Sequence, residues 1–324
     1  MMEIRAYRGE DEAGVLGVWG QTMTHDRLTP DVFRCKVLLD ANFLPAQLPV
    51  AVVDGQVVGF ALGLTRQVPL FLQGLEPEKS WITAFGVLPE YRRRGIGRAL
   101  FEYLLMRWAG EGRQTVEISP YTPNYFTPGV DKDAYPEAVQ FLQAGLGFEV
   151  DTEAVSMGLN LSGFQIPAEV RELERKRATE DGLEVRAVEA ADLPDLMPFI
   201  ARYFGWDWFR HLQEYLLEYF GDSPHQITFL VARLKGEIVG FCPQRRERFG
   251  PFGVHPEVRN LGIGRILLFR CLEAVSSRQT YFSYFMWTEE NAARLYTMAG
   301  YRTRRQYVLL RKNLQSATQT EGAV

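Results

Sequence analysis

The sequence predicts an α/β protein built from two copies of one unit. Three observations carry that prediction. Residues 85–100 read FGVLPEYRRRGIGRAL and residues 252–267 read FGVHPEVRNLGIGRIL, identical at 11 of 16 positions. The flanks repeat as well: Ile4-Arg5-Ala6 returns as Val185-Arg186-Ala187, and Val58-Gly59-Phe60 as Val239-Gly240-Phe241. In both halves short apolar strands alternate with segments of helical period, an order that produces a sheet covered by helices.

Each element has its own signal. Ile4-Arg5-Ala6 and its counterpart are strand-like and are followed by acidic residues and room for two helices. Val50-Ala51-Val52-Val53 and Leu230-Val231-Ala232 lead into Asp54-Gly55 and Lys235-Gly236, which sit between apolar strands as hairpin turns. Each hairpin leads to a strand ending at Val87 or Val254. A glycine turn follows, then an amphipathic helix. Ile96, Leu100, Leu104 and Trp108 share one face of the first, and Ile263, Leu267 and Cys271 one face of the second. Residues 115–119 and 281–286 are strand-like; 135–146 and 289–298 are helical.

The spacing between equivalent residues is 181 from Gly59 to Gly240, 167 from Arg92 to Arg259 and 153 from Gly147 to Gly300. The first copy therefore carries two insertions of 14 residues, near 69–79 and near 122–134. Insertions fall in loops, where domains sharing a scaffold diverge. The expected plan is a first domain over 1–161, a charged helical connector over 162–182, a second domain over 183–314 and a disordered tail over 315–324.

Composition bounds the function. The 324 residues are 46% hydrophobic and 23% charged, as in soluble globular proteins, and suffice for two domains. A net charge of −4 gives no general basic footprint for nucleic acid. No apolar run reaches the roughly 18 residues that cross a membrane. Cys35, Cys242 and Cys271 are odd in number and lack metal-ligand spacing, so they read as reduced thiols. The N-terminus lacks the apolar core of a signal peptide. The expectation is a cytoplasmic protein, monomer or homodimer, with no metal, nucleic-acid or membrane partner.

The repeated turn is an anion site in outline. Arg92-Arg93-Arg94-Gly95-Ile96-Gly97-Arg98 and Arg259-Asn260-Leu261-Gly262-Ile263-Gly264-Arg265 both open a helix. Glycine lets the backbone curl and approach a ligand closely. First-turn amides have no intrahelical acceptor, and the helix dipole adds positive charge there. Two other nucleotide motifs fail: Leu100 and Leu267 stand where a Rossmann turn needs its third small residue, and neither copy has the Gly-Lys-Ser/Thr of a Walker loop.

What the turn resembles is the acyl-CoA motif of the GNAT N-acetyltransferases, Arg/Gln-x-x-Gly-x-Gly/Ala. It stands here as Arg92-x-x-Gly95-x-Gly97 and Arg259-x-x-Gly262-x-Gly264, each preceded by Val-x-Pro at Val87/Pro89 and Val254/Pro256. The element order of both halves is similar to that family too. The resemblance implies two GNAT-fold domains in tandem, a layout similar to that of the mycothiol synthases. Each would be a mixed, mostly antiparallel sheet flanked by helices, with splayed central strands that admit acetyl-CoA. The turn amides would hold the diphosphate with Arg92, Arg93, Arg94 and Arg98, or Arg259, Asn260 and Arg265. The strand backbone at Phe85 and Val87, or Phe252 and Val254, would meet pantetheine.

The family commonly places an acidic Tyr four residues before a Gly-Phe/Tyr pair. Tyr296 holds that position before Gly300-Tyr301, and Asn291 matches the family's pantetheine-contacting Asn. The first copy has Gln143 instead, which cannot protonate a thiolate. The resemblance therefore implies a catalytic second copy and a CoA-binding or degenerate first copy, unless Tyr125 of the 122–134 insertion or the nearby Tyr135 serves as the acid. Glu247, expected on the fourth strand, is the candidate base; Glu289, Glu290, Asp207 and His211 are further options. The implied activity is transfer of acetyl from acetyl-CoA to a small-molecule amine. An acyl-CoA sensor without catalysis is the alternative.

Overall fold

The computed structural model describes residues 2–118, 121–221, 226–288 and 290–314, with backbone alone at 290–292. The sequence-expected tail, 315–324, lies outside the described residues. The chain forms two compact units, Met1–Ala154 with Gln306–Val324, and Val155–Arg305.

In chain order the first copy comprises β1 (Met2–Ala6), α1 (Glu12–Thr22), α2 (Pro30–Phe33), β2 (Pro49–Val53), β3 (Gln56–Leu64), β4 (Lys79–Val87), α3 (Ile96–Gly110), β5 (Thr115–Ile118), β6 (Val130–Asp131), α4 (Pro136–Gln140) and β7 (Glu149–Asn160). The second comprises α5 (Ala168–Asp181), β8 (Leu183–Ala187), α6 (Leu193–Phe204), α7 (Trp206–Phe220), β9 (Ile227–Leu234), β10 (Glu237–Arg245), β11 (Arg248–Phe249), β12 (Gly253–Val254), α8 (Ile263–Ser277), β13 (Phe282–Thr288), α9 (Glu290–Met298) and β14 (Arg302–Asn313). The α/β order read from the sequence is thus present in both copies.

In the first unit β1, β2, β3 and β4 pair antiparallel in that order. β4 and β5 run parallel but pair only over Lys79–Thr115, Ser80–Val116 and Trp81–Glu117. Beyond that point the ladder stops. Leu100, Leu104 and Trp108 of α3 are buried against the sheet, and Gly63 has no Cβ because one would lie 2.6 Å from the Trp108 ring. On the other face Trp19 of α1 stacks on Phe60, ring centroids 5.7 Å apart. The last strand of this sheet comes from the far end of the chain: Leu310 of β14 pairs with Ile118 of β5, and Tyr307 and Val308 pair with β6.

The second unit repeats the pattern. β8, β9 and β10 are antiparallel. β10 pairs with both β11 and β12, and β11 meets β13 in parallel at Arg248–Tyr284. Its outer strand is the end of β7, where Asn160 pairs with Phe282 and Gly158 with Tyr284. Each unit is therefore completed by a strand that a single cut at residue 161 would assign to the other half. The connector over 162–182 belongs to the second unit and contains α5.

Both copies use one device to fix the chain after their first strand. Arg5 clasps Asp11 with bonds of 2.7 and 2.8 Å, and Asp11 also accepts from the Arg8 amide. Arg186 clasps Asp192 at the same distances, and Asp192 accepts from the Glu189 amide.

Candidate active site

The first glycine turn is built as the sequence suggests. Arg93 (φ 61°) and Gly95 (φ 82°) adopt left-handed backbone, and Gly95 is the residue preceding α3. The first intrahelical bond runs from the Ala99 amide to the Gly95 carbonyl, and no side chain caps the helix. The amides of Ile96, Gly97 and Arg98 thus precede the helical ladder. Space beside Gly95 is open: a Cβ there would meet nothing within 4 Å. Arg92 bends back, its Nε donating 3.0 Å to the Val87 carbonyl, so it pins the turn to the strand end. Arg94 lies over the Tyr91 ring, 5.4 Å from its centroid. Arg98 donates to the Gly145 carbonyl at 2.7 Å.

Next to this turn lies a cleft of about 680 Å³. β4 forms one wall through Ile82, Thr83, Ala84, Phe85, Gly86 and Val87; Ile118 ends β5 on the other side. The cleft exists because β4 and β5 part after Trp81. Residues 136–145, α4 and the π-turn that continues it, line it as well. Their far end meets Arg98 through Gly145, and their near end begins at Tyr135. At 1.5 Å per residue the two ends are roughly 15 Å apart. The turn and Tyr135 thus line one cavity.

At the Tyr135 end the polar groups converge. The Tyr135 hydroxyl donates to Asp26 Oδ2 at 2.8 Å and accepts from the His25 amide at 3.1 Å. Thr22, Asp26, Thr83 and Thr127 line the same cavity. The inserted segment is held over it from several sides. Arg66 donates to the Thr122 carbonyl (2.8 Å), Asn124 to Asp40 (2.7 Å) and Lys36 to the Tyr125 carbonyl (2.8 Å). Phe126 packs edge-on against Trp19 at 4.8 Å. Tyr125 thus serves as an anchor point through its carbonyl, while Tyr135 reaches the cleft. Sequence reading did not single out Asp26; nothing local in HDRLT marks it.

The second turn has the same backbone and different surroundings. Gly262 is left-handed at φ 75°, and Arg259 Nε donates to the Val254 carbonyl at 3.3 Å, repeating the Arg92 bond. α5 lies against the turn. Leu173 Cδ2 is 2.8 Å from where a Gly262 Cβ would be. Arg177 Nε donates to the Leu261 carbonyl at 2.9 Å, and Arg265 pairs with Glu169 at 3.1 Å. Asn260 is exposed in the turn before Gly262, and Gly264 has Phe252 as its nearest side chain, 3.4 Å from a Cβ there.

Where β11, β12 and β13 part, aromatic rings converge. Tyr296 of α9 lies 4.3 Å from Phe285, 5.7 Å from Tyr301, 5.8 Å from Phe249 and 6.3 Å from Phe252, centroid to centroid. Phe204 sits directly against Gly253 of β12. Burial pushes the Tyr296 hydroxyl well above the ordinary tyrosine range, with Cys242 adding to it. The side chain of Asn291 lies outside the described residues, as do those of Glu289 and Glu290. Glu247 is not on a strand: it is exposed in the two-residue turn joining β10 to β11, its carbonyl accepting from the Tyr284 amide at 2.8 Å. The strand expected there is interrupted between Phe249 and Gly253. Among the described residues no group of three His, Cys, Asp or Glu could hold a metal, and no helix is long and apolar enough to cross a membrane.

Two family models match the chain: the acetyltransferase (GNAT) family over residues 19–125 and the acetyltransferase (GNAT) domain over residues 225–303. L-2,4-diaminobutyric acid acetyltransferase of Nocardia farcinica is 36% identical over 88 residues, a match spanning 26% of this chain and 42% of that relative. The glucosamine N-acetyltransferase region of a fungal multi-domain β-N-acetylglucosaminidase superposes with a TM-score of 0.77 at 20% identity, over 96% of this chain and 38% of that one. A tandem GNAT protein from the clavulanic acid biosynthesis pathway superposes at 0.61 and 15% identity, over 97% and 99%. At those identities the superpositions speak to fold alone. With one matching domain model in each half and the tandem fold shared over nearly the whole length, the chain belongs to the GNAT acetyltransferase family, as a tandem member.

Proposed function

We propose that the chain is an N-acetyltransferase moving acetyl from acetyl-CoA to a small primary amine, and that the first unit does the chemistry. One observation carries this: a single cleft of about 680 Å³ joins the first glycine turn to the Tyr135–Asp26 pair. The diphosphate would lie on the amides of Ile96, Gly97 and Arg98, with Arg93 and Arg94 nearby. Pantetheine would follow β4 past Val87 and Phe85. The thioester would then reach the Tyr135 end.

There the amine nitrogen attacks the thioester carbon, the C–N bond forms and the C–S bond breaks. Sulfur leaves with the proton of the Tyr135 hydroxyl. The nitrogen's surplus proton passes to Asp26, whose bond to Tyr135 restores the phenol. Asp26 and Glu137 on the lining suit an ammonium ion as it arrives, which gives one proton to solvent before the neutral amine attacks. The curated relative's name, a diaminobutyric acid acetyltransferase, supports a small amine-bearing acceptor.

The second copy is read as closed. α5 and Leu173 cover its turn, Glu169 engages Arg265, and Tyr296 packs into an aromatic cluster where a thioester would need room. That reverses the roles expected from Tyr296 and Gln143. Cys35, Cys242 and Cys271 are free thiols, which supports a reducing, cytoplasmic setting.

The test is thiol release from acetyl-CoA with a panel of small amines. Tyr135→Phe is expected to lower kcat about 100-fold with acetyl-CoA affinity little changed, and Tyr296→Phe to leave turnover within about twofold. The opposite pattern would return the chemistry to the second copy.

A further inference from the structure

We propose that Asp131 is a positioning residue for the Tyr135 hydroxyl and that the last strand of the chain fixes Asp131 in turn. The inference rests on the reading of Tyr135 as the acid. Asp131 is 4% exposed, at the end of a buried stretch that also holds Val130. Its Oδ1 accepts from the amides of Asp133 and Ala134, both at 3.0 Å. Its carbonyl accepts from the Tyr135 amide at 2.9 Å. One residue thus holds three consecutive backbone amides, 133 to 135, and sets where the Tyr135 side chain departs. The carboxylate does here what a helix-capping side chain does, satisfying amides that no helix serves.

Asp131 is itself held by β14. It pairs with Tyr307, and Val130 pairs with Val308. The Lys132 amide donates to the Gln306 carbonyl at 3.0 Å. Gly129 lies flush on the Val308 carbonyl, leaving no room for a Cβ. Thr127 donates to the Gly129 carbonyl at 2.9 Å, closing the segment that lines the cleft. The line of contact runs from residues 306–308 through 129–131 to the Tyr135 hydroxyl on Asp26. It explains why the first unit recruits the chain's final strand: β14 braces the inserted segment as well as β5.

A cycle of variants tests this in the full chain. Asp131→Ala is expected to lower kcat about tenfold while the KM for acetyl-CoA stays within about twofold, because the bonds of Asp131 go to residues 133–135 and not to the glycine turn. Asp131→Asn keeps an Oδ1 acceptor and should recover most of the loss. In a Tyr135→Phe background, Asp131→Ala should change kcat less than about twofold, since Asp131 acts only through that hydroxyl. Should Asp131→Ala fail to fold, Gly129→Ala moves the same segment from the β14 side and carries the same expectations. Multiplying losses in the double variant, a parallel rise in KM, or no loss at all would overturn the inference while leaving Tyr135 as the acid. Full turnover by Tyr135→Phe alone would instead remove the acid, and the inference with it.

Discussion

Leu173 lies against Gly262: a Cβ on that glycine would be 2.8 Å from Leu173 Cδ2, whereas one on Gly95 would meet nothing within 4 Å. Two turns of nearly one sequence are thus covered in one case and open in the other. Calorimetric titration with acetyl-CoA should give one site per chain. Gly95→Val, which forces a branched side chain into left-handed backbone at φ 82° and into the open space a ligand would use, should abolish that site. Gly264→Ala should leave it intact. A stoichiometry of two would show that α5 yields to the ligand.

Charge distinguishes the turns in the same sense. Arg93 and Arg94 stand exposed beside Gly95, while the equivalent positions are Asn260 and Leu261. Replacing Arg93 and Arg94 together by Glu should raise the acetyl-CoA Kd at least tenfold at low salt. The gap to the parent protein should narrow as ionic strength rises, because exposed charges are screened over about 10 Å at 0.1 M. Arg92 is different. Its bond to the Val87 carbonyl makes it part of the turn, so Arg92→Ala should lower thermal stability as well as affinity.

These contrasts show what the sequence could carry. The turn and the α3 and α8 faces are local patterns, and local patterns survive into the fold. Strand partnership is not local: nothing in residues 302–313 says that β14 pairs with β5, since alternation fixes a strand's faces and leaves its neighbour open. Tyr296 and Gln143 align, yet Tyr296 is half-buried and Gln143 exposed; residues 141–145 form a π-turn that shifts the phase of the helix. The connector is marked by its charge, but Val170 and Leu173 stand three apart within it. That spacing puts both on one face, and Val170 is fully buried.

Acid should destabilise both units through carboxylates that the fold keeps ionised. The Asp192 carboxyl is held low by the Arg186 guanidinium, with burial opposing. Burial would raise Asp11 and Glu76, but Arg5 and the Arg8 amide outweigh it for Asp11, and Arg66 and Lys79 outweigh it for Glu76. All three have folded pKa values below the unfolded ones, roughly 3.9 for Asp and 4.3 for Glu. Their stabilisation is complete above the unfolded values and is lost as pH falls through the folded ones. Urea unfolding should therefore be flat between pH 5 and 7 and weaken steeply below about pH 4. Asp192→Asn should cost about 3 kcal/mol at pH 7 and flatten the acid limb. An unchanged limb would mean the pair forms in the unfolded chain too.

The aromatic cluster makes a prediction that separates packing from catalysis. Tyr296 contributes a ring 4.3 Å from Phe285 and within 6.3 Å of three others, and burial raises its hydroxyl pKa. Removing this half-buried ring should cost about 2–3 kcal/mol, through lost contacts and the cavity left behind. Removing only the hydroxyl should cost about 1 kcal/mol or less. Chemical unfolding of Tyr296→Ala and Tyr296→Phe measures both terms. Each variant should keep the parent's acetyl-CoA Kd, because the proposed site is bounded by Ile82, Phe85 and Phe141 of the first unit. If Tyr296→Ala weakens acetyl-CoA binding at full occupancy of the folded state, the second copy holds the ligand and the closed reading falls.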